Sequence, residues 1–125
     1  LNNSRIRVSN KSDFKNSCLV TGGPKVNSEK REFIFEEYKK ISVEVNSHVR
    51  KSGSAALDIA YVASGRYDGY FQNGLNLWDI AAGIILVKEA GGIVNEIELS
   101  NHKNIKVIAS STDISSKLNE KLHNF

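Results

Sequence analysis

Residues 67–92 read YDGYFQNGLNLWDIAAGIILVKEAGG, and this stretch predicts a strand followed by a helix. Residues 67–72 are rich in aromatic side chains, as strands are, and Asn73-Gly74 is typical of a turn. The segment from Asp79 to Ala90 is apolar on nearly every side, which predicts a buried helix with Asp79 as its N-cap. Gly91-Gly92 would end that helix.

The same alternation of strands and helices continues on both sides of this stretch. Strands are predicted over residues 4–9, 17–21, 93–97 and 105–109, with a short extended piece at 48–50. Helices are predicted from Ser28 to about Asn46, over residues 54–64, and from about Thr112. The second helix should turn Ala56, Ile59, Ala60 and Ala63 to one side, and the last has a stripe of Ile114, Leu118 and Leu122. Alternating elements without an internal repeat predict one layered α/β domain.

Composition excludes several classes of protein. A chain of 125 residues that is 40% hydrophobic and 25% charged can bury a core without disulfides. The single cysteine, Cys18, excludes a disulfide framework and a thiolate zinc site, and it fits a reducing, cytoplasmic setting. The longest apolar run, residues 80–87, is far shorter than the ~18 residues of a membrane span. We therefore expect a cytoplasmic protein without a membrane partner.

Charge and termini add two expectations. The net charge of +3, from 17 basic and 14 acidic residues, is weak evidence for a nucleic-acid partner, and we expect none. The sequence has no methionine and begins with Leu1, so we expect a piece of a longer protein.

Spacing excludes the common catalytic motifs. Neither serine of residues 51–55 is flanked as in a nucleophile elbow, and residues 22–25 lack the spacing of a phosphate-binding loop. His48, His102 and His123 are too scattered to form a local metal motif. The serine-hydrolase and zinc-enzyme hypotheses are therefore rejected.

One constellation remains, Trp78-Asp79-Ile80-Ala81-Ala82-Gly83. An aspartate before an apolar helix can be a cap and nothing more. Here the alanines and Gly83 behind Asp79 leave room for a ligand near the helix start, and carboxylate oxygens are ligands that magnesium takes. Two further carboxylates, Asp58 in the alanine-rich helix and Asp68 before a strand, are expected to be structural.

Three segments together resemble the C-terminal half of inositol monophosphatases, in particular the bacterial SuhB-like branch. They read RKSGSAALDIAYVASGR (50–66), WDIAAG (78–83) and EAGG (89–92), of which the second matches the family's C-terminal signature. The resemblance implies a layered α/β sandwich with a mixed sheet flanked by helices, and residues 1–125 as a single C-terminal domain. The family's upstream Gly-Glu-Glu and Asp-Pro-Ile/Leu-Asp-Gly-Thr motifs, which supply most metal ligands, have no equivalent in this sequence.

The resemblance also implies roles for individual residues. Asp79 matches a metal-ligand aspartate that helps hold Mg²⁺ near the leaving group. The segment Gly53-Ser54-Ala55 matches the backbone that lines the substrate site. Gln72 stands where the family usually has a glutamate that accepts hydrogen bonds from sugar-alcohol hydroxyls. A glutamine loses that charge and adds donors, which puts a preference for inositol in doubt.

The implied activity is magnesium-dependent hydrolysis of a small phosphate ester such as myo-inositol phosphate. With an incomplete magnesium site and no catalytic residue of its own, this chain should be inactive alone. We expect a homodimer, or a separate N-terminal half as partner. Two alternatives stay open: another phosphate ester, such as a sugar bisphosphate or phosphoadenosine phosphate, or a non-catalytic RNA- or protein-binding module. Aromatic residues spaced for base stacking would favour an RNA-binding module, but the resemblance places Tyr67, Tyr70 and Phe71 in a strand of the core.

Overall fold

The molecule is a five-stranded sheet with helices on both faces. The structure is a computed structural model that describes residues 6–22, 31–46, 49–98, 100 and 102–122. After a short 3-10 helix at Phe14–Asn16, the elements are β1 Leu19–Thr21, α1 Arg31–Ser42, β2 Arg50–Lys51, α2 Ala55–Ala63, β3 Gly69–Leu75, α3 Leu77–Glu89, β4 Ile93–Val94, β5 Ile105–Ser110 and α4 Thr112–Lys121.

The sheet is mixed, with the order β2-β1-β3-β5-β4. β1 lies parallel to both β2 and β3. β5 runs antiparallel to both β3 and β4. The expected layered α/β class with a mixed sheet is therefore confirmed.

Two apolar cores lie on opposite faces of this sheet, and β3 contributes to both. Successive strand residues point to opposite faces, so Tyr70 and Phe71 enter different cores. Phe71 packs with α1 and α4 through Ile41 and Leu118. Tyr70 packs with α2 and α3, which also bring the other side chains of that core, among them Ile59, Val62, Ile80 and Val87. The result is three layers, with α1 and α4 on one side and α2 and α3 on the other.

Several local predictions are confirmed. α2 begins after the N-cap Ser54, whose hydroxyl accepts a hydrogen bond from Leu57 N–H, and Gly65 follows with φ of +83°. In α4 the predicted stripe of Ile114, Leu118 and Leu122 is fully buried. The predicted cap of α1, Ser28, lies outside the described residues.

Three predictions in the strands and in α2 are wrong. Asn73-Gly74 does not end the strand, because β3 continues to Leu75 through an irregularity at which Gly74 has φ of +76°. The described part of the predicted first strand, residues 6–9, is not a strand, and Val8 N–H instead donates to Ala90 C=O at 3.1 Å. In α2, Ala56 is exposed. The buried side of α2 is formed by Asp58, Ile59, Val62 and Ala63.

The prediction for α3 is wrong in two respects. Its N-cap is Asn76, so Asp79 lies in the first turn rather than before it. The helix is also not buried all round, since Trp78 is 79% exposed and Ile85 is 58% exposed. Only one side packs on the sheet and on α2, and a strip of apolar side chains faces outward.

Gly83 is where α3 approaches α2 most closely. A Cβ at this position would lie 2.7 Å from Cγ2 and 3.0 Å from Cβ of Ile59, and the Ile59 Cβ cannot move without shifting the backbone of α2. We expect Gly83→Ala to lower the free energy of unfolding by about 1–3 kcal/mol, as overpacked cores do, despite the better helix propensity of alanine. Urea denaturation would measure this loss. Ala82→Ser, at an exposed position of the same helix, is the control and should change stability by less than ~0.5 kcal/mol.

Candidate functional site

A cleft of about 570 Å³ opens at the carboxyl ends of the parallel strands. Gly22 follows β1, Ser52 follows β2, and Gln72 lies within β3. Loops at this end of parallel strands form the usual ligand sites of α/β sheets. The lining residues are Gly22, Ser52, Gly53, Ser54, Ala55, Ala56, Tyr70, Gln72, Leu75, Trp78 and Asp79. All five predicted site residues, Gly53, Ser54, Ala55, Gln72 and Asp79, therefore lie on one cleft.

One wall of the cleft is the beginning of α2. Ser54 N–H donates to Oγ of Ser52 at 3.2 Å, and Oγ of Ser54 accepts from Leu57 N–H at 3.3 Å. The backbone N–H groups of Ala55 and Ala56 find no acceptor within the described part of the chain. Free amides at a helix start favour anions, through hydrogen bonds and through the partial positive charge of the helix dipole.

Behind this wall lies the carboxyl group of Asp58. Its side chain is 2% exposed, and its Oδ2 atom has no hydrogen-bond partner in the described structure. Burial raises the pKa of Asp58, while a hydrogen bond from the Ser52 hydroxyl opposes that rise. The nearby phenol of Tyr70 also has a raised pKa, mainly because it is buried and further because of the charge of Asp58.

The side chain of Gln72 has a defined orientation at the floor of the cleft. It is 7% exposed, its Nε2 donates to the Asn73 carbonyl at 3.1 Å, and its Oε1 lies 3.3 Å from the Thr21 hydroxyl oxygen. A Cβ at position 22 would lie 2.7 Å from Oε1, so this orientation depends on Gly22. The cleft therefore presents a neutral group with both donor and acceptor capacity.

Asp79 places a carboxylate on the opposite wall, in the exposed first turn of α3. The start of α3 is held by Leu77 N–H, which donates to His102 C=O at 2.9 Å, and by an edge-to-face contact of the Trp78 and His102 rings at 5.8 Å. An exposed carboxylate that faces a cleft fits one position of a magnesium site. No group of three potential ligands occurs among the residues that the structure describes, so Asp79 would be one ligand of several.

The sequence profile described as "Inositol monophosphatase family" matches residues 1–124. This chain belongs to the inositol monophosphatase family. Like the resemblance of its motifs, the match extends over nearly the whole sequence.

Individual relatives agree with the family assignment. The chain is 41% identical over 98 residues to an inositol-1-monophosphatase of Mesorhizobium japonicum, a match that covers 78% of this chain and 36% of the relative. It is 43% identical over 101 residues to Nus factor SuhB of Haemophilus influenzae, covering 81% and 38%. The crystal structure of the extragenic suppressor protein SuhB from Bartonella henselae superposes with a TM-score of 0.83 at 36% identity, covering 97% of this chain and 47% of that one.

The chain thus spans less than half the length of these inositol monophosphatase family members. The fold class is that of the family, as expected from the motifs. No helix within the described ranges is long and apolar enough to cross a membrane.

Sequence reasoning missed several residues of the cleft. Ser52 and Tyr70 line it although neither was singled out as a ligand. Ser52 gave a usable signal, because it directly follows a strand and precedes a capped helix. Asp68 does not line the cleft. Its carboxylate accepts from Cys18 N–H at 2.6 Å and from the Ser9 hydroxyl, in keeping with the structural role expected of it.

The raised pKa of Asp58 predicts a dependence of stability on pH. With the pKa higher in the folded than in the unfolded state, the folded protein binds more protons, so stability is lost as pH rises from about 3.8 through the folded pKa. Asp58→Asn removes this loss. The difference in free energy of unfolding between Asp58→Asn and wild type should therefore increase with pH across this pH interval. Above the folded pKa of Asp58 the difference should level off.

Chemical denaturation at a series of pH values measures this difference. Asp113→Asn is the matched control, because Asp113 is an exposed aspartate in the first turn of α4 and the substitution changes charge without relieving burial. A difference between Asp58→Asn and wild type that stays flat with pH would contradict the prediction.

Proposed function

We propose that this protein is a magnesium-dependent phosphomonoesterase and that this chain supplies its substrate wall and one metal ligand. The observation that carries the proposal is the cleft in which the start of α2, Gln72 and the Asp79 carboxylate face the same space. An anion-binding helix start opposite a metal-ligand carboxylate is what a phosphate ester requires. The site roles of Gly53, Ser54, Ala55, Gln72 and Asp79 belong to this proposal.

The start of α2 would bind the phosphoryl group of the substrate. Ala55 and Ala56 offer free N–H groups on the cleft, and their small side chains leave the approach open. Gly53 adds to this space, since nothing lies within 4 Å of where its Cβ would be. The backbone can therefore approach a phosphate closely, and the helix dipole favours its charge.

Asp79 is the residue of this chain that would hold Mg²⁺. Bound magnesium would polarise the phosphoryl oxygens and stabilise the departing alkoxide. Magnesium binds through one or two carboxylates together with waters and substrate phosphate oxygens, so a single aspartate is a fitting but incomplete donor set. The remaining ligands and the residues that activate the attacking water would come from outside residues 1–125.

Gln72 would contact the alcohol part of the substrate. Its carboxamide can accept from one hydroxyl and donate to another, whereas a carboxylate can only accept. A small polyol phosphate such as myo-inositol phosphate fits this group, and so does another phosphate ester such as a sugar bisphosphate or phosphoadenosine phosphate. Comparing these substrates for wild type and Gln72→Glu would separate the possibilities.

The outward strip of α3 would be covered in the assembled enzyme. Trp78, Ile85 and Leu86 are exposed. Ile85 also lines a groove of about 710 Å³ between α3 and residues 94–98. Apolar area of this kind is typical of interaction surfaces. We propose that an N-terminal half of the enzyme or a second copy covers it, in a cytoplasmic protein.

A nucleic-acid-binding module is less well supported. Tyr70 and Phe71 are each 1% exposed, so neither can stack on a base. The relative from Haemophilus influenzae is called a Nus factor, and this name describes that relative and not this chain. We therefore retain the phosphatase proposal.

The isolated chain should not hydrolyse phosphate esters, because it brings one proposed metal ligand and no water-activating residue. Inositol 1-phosphate and a panel of small phosphate esters, assayed with Mg²⁺, would test this. A separately expressed N-terminal half of a full-length relative should bind the chain. The mixture should then show turnover that requires Mg²⁺. Turnover by the purified chain alone would refute the expectation of inactivity.

Asp79→Asn should separate the metal role from a helix role. Since Asp79 is not the N-cap and is exposed, losing its charge near the helix start should cost less than ~1 kcal/mol of stability. In the reassembled enzyme the same change should remove most activity. Asp113→Asn, the equivalent change in α4 outside the cleft, should leave activity intact. Normal turnover by Asp79→Asn would rule out the metal role.

A further inference from the structure

Asp58 differs from the other aspartates at helix starts in this chain. Asp79 and Asp113 occupy the first turns of α3 and α4 with exposed side chains, whereas Asp58, in the first turn of α2, is 2% exposed. An aspartate stabilises a helix start from an exposed position, and burial of an incompletely paired carboxyl group costs free energy. The dipole alone therefore does not account for the burial of Asp58.

The partners of Asp58 connect it to the wall of the cleft. Its carboxylate accepts a hydrogen bond from the Ser52 hydroxyl. A hydroxyl group can donate to one partner while its oxygen accepts from another, and Oγ of Ser52 accepts from Ser54 N–H at 3.2 Å. Asp58 N–H in turn donates to Ser54 C=O at 3.0 Å. Asp58 thus holds the turn before α2 from both its side chain and its backbone.

This arrangement determines which amides face the cleft. Ser54 N–H is occupied by Ser52, and Leu57 N–H is occupied by Oγ of Ser54. The amides left toward the cleft are those of Ala55 and Ala56, whose residues line it. If Ser52 rotated away, Ser54 N–H would lose its partner and the turn could rearrange.

We propose that Asp58 is a positioning residue: its buried carboxylate orients Ser52, and through Ser52 it fixes the turn that presents the amides of Ala55 and Ala56 to the phosphate of the substrate. The use of those amides rests on the proposed phosphatase function. The positioning itself does not, and it can be measured in the chain without turnover.

The test is amide hydrogen exchange of Ser54, followed by NMR in the 125-residue chain. Asp58→Leu keeps the branched shape of the side chain but cannot accept a hydrogen bond, and Ser52→Ala removes the acceptor of Ser54 N–H. Each should speed exchange of Ser54 by at least about fivefold, the range expected for loss of one hydrogen bond. The double variant should be no faster than either single variant. Asp58→Asn, which can still accept from Ser52, should remain close to wild type.

A merely structural role would give a different result, since lost stability speeds exchange throughout the sheet. Amides of β3 and β5 report the global stability, so they are the internal reference against which the change at Ser54 is measured. If Asp58→Leu does not fold, Asp58→Ala takes its place. The proposal would be overturned if Ser54 exchanged at the wild-type rate in Asp58→Leu, or in Asp58→Ala where that variant is used. It would also be overturned if Ser54 exchanged as fast in Asp58→Asn as in that variant.

Titration with inorganic phosphate links the positioning to binding. In wild type and in Asp58→Asn the amide signals of Ala55 and Ala56 should shift, with affinity at least about fivefold weaker in Asp58→Leu. Absence of shifts in wild type would count against the proposed phosphate role of the α2 start. Exchange of Ser54 would still decide for or against the positioning role.

Discussion

β3 is buried on both faces, and this burial organises the fold around it. Tyr70 and Phe71 are adjacent in sequence, and each is 1% exposed, in a different core. A strand with both faces apolar must be covered by helices on both sides, which requires three layers. β3 also joins the parallel part of the sheet, through β1, to the antiparallel part, through β5.

The site follows from the same strand. Gln72 comes directly after Tyr70 and Phe71, so the packing of these two rings fixes the position of the Gln72 carboxamide in the cleft. The parallel neighbours β1 and β2 end at the same edge and deliver Gly22 and Ser52 beside it. On the far side, the contact of Gly83 with Ile59 holds α3 against α2. The two helix starts thus face each other across the cleft.

Two features of the cleft do not improve the packing of the core. One lowers the stability of the fold, and the other restricts which residue can occupy its position. The carboxyl group of Asp58 is buried with one oxygen unpartnered in the described structure, and a Cβ at position 22 would displace the Gln72 carboxamide from its orientation in the cleft. Natural proteins depart from good packing and full hydrogen bonding mainly at functional sites. Both departures lie at the cleft, on the proposed substrate wall and floor. Departures of the same kinds also occur away from it, since the buried hydroxyl groups of Ser42 and Ser111 have no partner in the described structure and Gly83 has no room for a Cβ beside Ile59.

Elements whose signals are local could be predicted from the amino-acid sequence. Ser54 capped α2, Gly65 followed its end, and the stripe of α4 was buried, because caps and helical periodicity act within a few residues. The segments at residues 50–66, 78–83 and 89–92 together indicated the family, and the resemblance indicated five residues that line one cleft.

Which faces of those elements are covered depends on contacts between residues that are distant in the chain. The apolar sequence of α3 could not show that Trp78 and Ile85 face outward, because an apolar residue has no preference between its own core and another surface. Asn73-Gly74 forms an irregularity rather than a turn because pairing with β5 resumes at Leu75. The burial of Asp58 behind Ser52 depends on the packing of α2 against β3, and contacts between residues distant in the chain have no local signal.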